Sequence, residues 1–194
     1  KVLERIARMV VKLGRIPVEH TVAVLDTARM KWEMDFFLTH FVPGFCAPGV
    51  DTEQLRRKLH EMVERIYPIK TFAHRDFHSR NMLFFRGDVY LVDFQDSLAG
   101  PMFYDLVSFL FDAYLDLGTL RGYFLDLLHE RNIAIDETRY FLTALQRNVK
   151  ALGTFGFQVT VRKNLIYKKY MARTVRHILS NPLFGKYLNS EMFK

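Results

Sequence analysis

Between residues 74 and 96 the sequence reads H-R-D-F-H-S-R-N-M-L-F-F-R-G-D-V-Y-L-V-D-F-Q-D. Asp76 and Asn81 stand five positions apart on a segment with no regular apolar period, and Asp93 closes an apolar run that follows a Gly87-containing turn. Phosphoryl transfer needs a carboxylate that orients and deprotonates a hydroxyl, together with oxygen donors that hold magnesium on the phosphates. Taken singly, Asp76 reads as a turn-capping side chain and Asn81 says less still. Joined in one strand, loop and hairpin context, the set points to that chemistry.

The neighbouring residues admit a second chemistry. His74 and His78 are four apart, a zinc spacing when a helix turns both to one side. The segment reads as loop and has no Cys or third His close by, so the two histidines read as braces of the loop. Arg75 calls for a carboxylate partner, and Asp105 is the candidate.

Several elements must position these groups. Residues 2–13 have apolar side chains at helical spacing and stop at Gly14, and Pro17 marks a connector. Asp26 or Thr27 caps a second helix with Met30, Met34, Phe37, Leu38 and Phe41 on its apolar face, expected to stop at Pro43-Gly44. Asp51 and Gln54 form a capping box for a third helix, which runs to about Ile66 and is closed by Pro68. Extended pieces are expected at 69–73, 82–85 and 89–92, the last two joined by a three-residue turn, Arg86-Gly87-Asp88. A loop ending at Gly100-Pro101 follows Asp93. Helices are then expected at 103–117, 120–130, 136–152 and 163–179, with Gly118, the pair Gly153 and Gly156, and Pro182 as breaks.

Composition sets the outer bounds. The chain has 194 residues, 49% of them hydrophobic, and a net charge of +7. That is enough for a domain with a real core, and the charge favours anionic ligands or simple solubility. The single cysteine, Cys46, excludes an internal disulfide framework and fits a reducing cytosol. No apolar run approaches the roughly 20 residues of a membrane helix, so a cytoplasmic protein without a membrane partner is expected. The basic stretch with Arg162, Lys163, Lys168, Lys169, Arg173 and Arg176 raises nucleic-acid binding, but no nucleic-acid motif accompanies it and a solvated face is the simpler reading.

The joint motif resembles that of the aminoglycoside phosphotransferase-like kinases, H-x-D-x-H-x-x-N followed by D-[FW]-[EQ] and then an Asp at a helix start. Its positions here are His74, Asp76, His78, Asn81, Asp93-Phe94-Gln95 and Asp105. The resemblance implies an α+β, predominantly helical fold. Residues 1–194 would be a single domain, a protein-kinase-like C-terminal lobe with a small β-hairpin at the catalytic loop. It implies ATP and Mg2+ as cofactors, Asp76 as catalytic base, Asn81 and Asp93 as magnesium ligands, and His74, Arg75, His78 and Asp105 as support for the loop. Arg75 departs from the Gly common there in aminoglycoside-modifying members and resembles the protein-kinase form.

The runs at 93–112 and 145–156 are similar to bacterial kinases that phosphorylate the anomeric hydroxyl of N-acetylmuramate and N-acetylglucosamine in cell-wall recycling. An amino sugar is therefore the expected acceptor. Glu33 and Asp96 are candidate contacts because carboxylates accept sugar hydroxyls, and Gln146 and Arg147 follow from the second run; a surface or capping role is the alternative for each. An aminoglycoside or choline acceptor, and a non-catalytic interaction domain that keeps the scaffold, are the other readings. No G-x-G-x-x-G, no G-x-x-x-x-G-K-[ST] and no V-A-I-K-like strand occurs, although a kinase needs a cover and a lysine on its phosphates. With Lys1 opening the chain inside an amphipathic pattern, a piece of a longer protein is expected, its N-terminal lobe absent and its activity alone poor.

Overall fold

The apolar spacing of the first residues produces helix α1 (Val2–Leu13) in the computed structural model, with Ile6 and Ala7 buried and Gly14 as its C-cap. Along the chain follow α2 (Thr27–His40), the single turn α3 (Val42–Phe45), α4 (Thr52–Ile66), β1 (Lys70–Ala73), β2 (Met82–Phe85), β3 (Asp88–Leu91) and β4 (Leu98–Pro101). Then come α5 (Tyr104–Leu110), α6 (Leu120–His129), α7 (Glu137–Thr160), α8 (Lys168–Leu179) and α9 (Phe184–Tyr187). The structure describes residues 1–21, 23–66 and 70–193, with residues 20 and 70 through their backbone only. Pro68 and the expected strand start at Ile69 lie outside them. The result is mainly helical with short antiparallel strands, and the chain divides into two compact units. One is residues 1–25 with 68–140, the other 26–67 with 141–194.

In the first unit β1 pairs antiparallel with β4, Thr71 opposite Gly100. Residues 98–101 were expected as loop, since Gly and Pro are poor strand formers. The pairing joins segments some 30 positions apart, which local pattern does not show. Gly100 fits because a Cβ there would lie 3.2 Å from the Ala73 Cβ. The other strands form the expected hairpin with a tighter turn. Phe85 pairs with Asp88, so only Arg86 and Gly87 are unpaired. Both have positive φ, 48° and 80°, as a two-residue type I′ turn requires. The hairpin leaves Leu83, Phe84, Phe85 and Tyr90 exposed.

Helix α5 is shorter than its apolar stripe predicts. It ends at Leu110 because the Asp112 carboxylate captures the Tyr114 N–H at 2.7 Å, a local bond that competes with the helical one. All seven residues of α5 are buried.

In the second unit the Asp26 carboxylate caps α2 through the Arg29 N–H (2.8 Å), and Asp51 caps α4 through the Gln54 N–H (2.9 Å). Met30, Met34, Phe37, Leu38 and Phe41 are all buried. Pro43 does not stop the chain but sits in the first turn of α3, where no N–H is needed. Gly153 and Gly156 do not end α7, which continues to Thr160. A Cβ at Gly156 would lie 2.3 Å from the His40 carbonyl oxygen, and one at Gly153 2.9 Å from the Phe37 backbone. These glycines let the backbones of α2 and α7 touch. Before α8, Lys163 has φ 58° and Asn164 caps a short 3-10 turn through the Ile166 N–H, so the basic helix starts later than expected. Among the described residues no helix is long and apolar enough to cross a membrane.

Candidate functional site

The loop from His74 to Asn81 lies in the first unit, between β1 and β2, and is pinned by its backbone. From the first turn of α5, Asp105 accepts the His74 N–H at 2.7 Å and the Arg75 N–H at 3.0 Å. Asp105 therefore does meet Arg75, through the main chain. Arg75 has φ 74°, in the left-handed region that favours glycine. Phe77 is fully buried, its ring edge-on to Phe109 with centroids 6.2 Å apart. Anchored on either side, the loop leaves Asp76 half-buried rather than sealed in.

Asn81 ends a 3-10 turn (Ser79–Asn81), and its own N–H bonds the His78 carbonyl at 3.0 Å. Its side-chain amide donates to the Asp76 carbonyl at 3.0 Å and reaches Asp93 Oδ2 at 3.5 Å. Its carbonyl accepts the Val92 N–H at 3.0 Å, which ties the loop to the end of the hairpin. Asp93 is exposed, has φ 68°, and accepts the Gln95 amide on Oδ1 at 2.6 Å. Asp76, Asn81 and Asp93 are thus brought together. Burial pushes the His74 imidazole below its ordinary pKa, while Asp76, the Val92 backbone and Asp93 draw it the other way.

The donor set suits magnesium. Asn81 turns its side-chain nitrogen to the Asp76 carbonyl and the Asp93 carboxylate, so Asn81 and Asp93 offer two hard oxygen donors from adjoining segments. Magnesium is bound by few protein oxygens because it keeps waters and takes phosphate oxygens.

The remaining candidates are placed differently. His78 sets its ring edge-on to Tyr114 at 5.0 Å. Asp96 is exposed in the turn after Asp93. In the second unit Glu33 and Gln146 are both buried, and the Gln146 amide donates to Glu33 at 2.8 Å. Arg147, next along α7, is half-buried. Asp112 was missed from the sequence. It is buried just past α5 and accepts the Ser79 N–H at 2.8 Å. Its signal was a charge closing an apolar stripe seven residues after Asp105, two helical turns along the same face.

Residues 1–141 match the phosphotransferase enzyme family. The chain belongs to that family. The matched part of this phosphotransferase-family chain contains the whole 74–96 segment and both carboxylates that grip the loop. Over 119 residues the chain is 34% identical to the N-acetylmuramate/N-acetylglucosamine kinase of Neisseria meningitidis serogroup B (strain ATCC BAA-335 / MC58), a match covering 59% of the chain and 35% of that kinase. The chain thus spans about a third of the length of this curated relative. A solved choline/ethanolamine kinase family protein from Mesorhizobium loti has a similar fold, with a TM-score of 0.64 at 14% identity, covering 95% of this chain and 64% of that one.

Proposed function

We propose that this chain is the C-terminal lobe of a small-molecule kinase that transfers the γ-phosphoryl group of ATP to the anomeric hydroxyl of an amino sugar, N-acetylmuramate or N-acetylglucosamine. The observation that carries the kinase reading is the Asn81 amide, which reaches both the Asp76 backbone and the Asp93 carboxylate. Family membership supports it at the level of phosphoryl transfer, and the 34% identical sugar kinase supports the acceptor. The fold-level likeness to the choline/ethanolamine kinase family protein does not favour choline.

In this reading Asp76 orients the acceptor hydroxyl and takes its proton as the oxygen bonds to the γ-phosphorus and the bond to the ADP oxygen breaks. The transition state is largely dissociative, so the base mainly positions the nucleophile. An anomeric hydroxyl is more acidic than an ordinary alcohol, which suits a carboxylate base. Asn81 and Asp93 would hold Mg2+, which when bound neutralises charge on the β- and γ-phosphates. Asp105 keeps the loop in its left-handed turn at Arg75, and His74 and His78 brace it. Asp96, exposed in the turn after Asp93, is kept as a sugar contact, while Glu33 and Gln146, buried and bonded to each other in the second unit, serve as a structural pair. The cover and lysine for the phosphates come from a preceding lobe of a longer, cytoplasmic polypeptide.

The test gives the full-length protein labelled ATP with N-acetylmuramate, N-acetylglucosamine, kanamycin or choline. Label is expected on the amino sugars, and Asp76→Asn is expected to lower the rate by about 100-fold or more. Transfer to kanamycin or choline with none to the sugars overturns the acceptor assignment and leaves the kinase reading standing.

A further inference from the structure

Asp105 grips the entry of the 74–81 loop, yet Asn81 lies at the exit. The structure assigns to Asp112 the role of positioning residue for that exit, setting where Asn81 stands relative to Asp76 and Asp93. This rests on the metal-ligand reading of Asn81 given above.

Three observations carry it. First, Asp112 is 2% exposed and both its oxygens accept backbone N–H groups, Oδ2 from Ser79 at 2.8 Å and Oδ1 from Tyr114 at 2.7 Å. Ser79 opens the 3-10 turn that ends at Asn81. Second, the Tyr114 backbone held by Asp112 presents a ring that meets the residues on either side of Ser79. His78 packs edge-on to it, with centroids 5.0 Å apart and planes at 76°, and the Arg80 guanidinium carbon lies 3.9 Å above its centroid. One carboxylate thereby fixes the Ser79 backbone directly and both neighbouring side chains through Tyr114. Third, Asp112 stands just past the wholly buried α5, whose first turn supplies Asp105. A helix and the turn that directly follows it thus hold the loop near both of its ends.

The chemistry makes the carboxylate hard to replace. Asn in its place has one acceptor oxygen for two N–H groups, and its own NH2 would face the second donor. Held by only one of its two grips, Ser79 is freed to shift, and Asn81 moves with it. The side chain touches no reacting group, so its effect is felt through geometry alone.

The test uses the 194-residue chain with Mn2+ as probe, read by paramagnetic broadening of backbone amides near Asn81 and Asp93, together with hydrogen exchange. In Asp112→Asn the Ser79 and Asn81 amides are expected to exchange about tenfold faster or more, and the Mn2+ affinity to drop about tenfold, while the amides of α1 and α6 keep their rates. Unchanged exchange at Ser79 and Asn81, or unchanged Mn2+ affinity in a folded variant, overturns the assignment. Tyr114→Leu should weaken Mn2+ binding; it decides the matter if Asp112→Asn fails to fold, and unchanged affinity there also overturns the assignment. A wild-type chain that binds no Mn2+ at Asn81 and Asp93 refutes the metal reading instead, and the exchange rates alone then judge Asp112.

Discussion

His74 shows how a residue can matter to the loop without touching substrate. It is 1% exposed, and burial holds its imidazole below the ordinary value of about 6.5. Well above that pH the ring is neutral in both folded and unfolded chains and adds no pH dependence. As pH falls through about 6.5 the unfolded chain takes up the proton first, so stability declines until the folded ring is also protonated. Urea unfolding at pH 7.5 and 5.5 should therefore show a smaller acid loss for His74→Gln than for wild type. At this scale the sequence was most legible where chemistry is local. Asp76, Asn81 and Asp93 lie within 18 positions, and the Asn81 side chain bonds the Asp76 carbonyl and reaches the Asp93 carboxylate. Glu33 and Gln146, 113 positions apart, could be chosen only as separate candidates; their mutual hydrogen bond needed the fold.

Among the elements, legibility followed the reach of the contacts. Helices α1, α2 and α4 were readable because the apolar period lies within each segment, and α2 and α4 also have their own capping Asp. Strand β4 was hidden by its distant partner, and the end of α5 was set by the Asp112 side chain rather than by a breaker. The length of α7 was misjudged because glycine has two meanings, a helix stop and a close approach of backbones. These can be separated by experiment. Gly156→Ala drives a methyl into the His40 carbonyl and should cost about 3 kcal/mol, with Gly153→Ala also destabilising. Gly122→Ala in α6 meets nothing within 4 Å and should stabilise by about 0.5–1 kcal/mol through helix propensity. Thermal and denaturant unfolding of the three variants will show whether the signs differ as expected.

For the whole molecule, the net charge of +7 suits an anionic nucleotide and is mildly unfavourable to a polycationic acceptor. On the proposed reading, the 194-residue chain alone should show magnesium-dependent ATP turnover at least about 100-fold below that of a longer polypeptide with the proposed lobe, since its sequence has no G-x-G-x-x-G and no V-A-I-K-like strand. Comparable turnover by the two would remove the need for a preceding lobe. The interleaving of the two units also bears on how the chain is made. The first unit has all its residues once position 140 has left the ribosome, but the second opens at 26 and must wait for 141–194. Phe37 meets Gly153, 116 positions later in the sequence. At ordinary translation speed that is an interval on the order of ten seconds. Throughout it the stretch of α2 from Phe37 to His40 is without α7, which makes the nascent second unit a natural client for a holding chaperone.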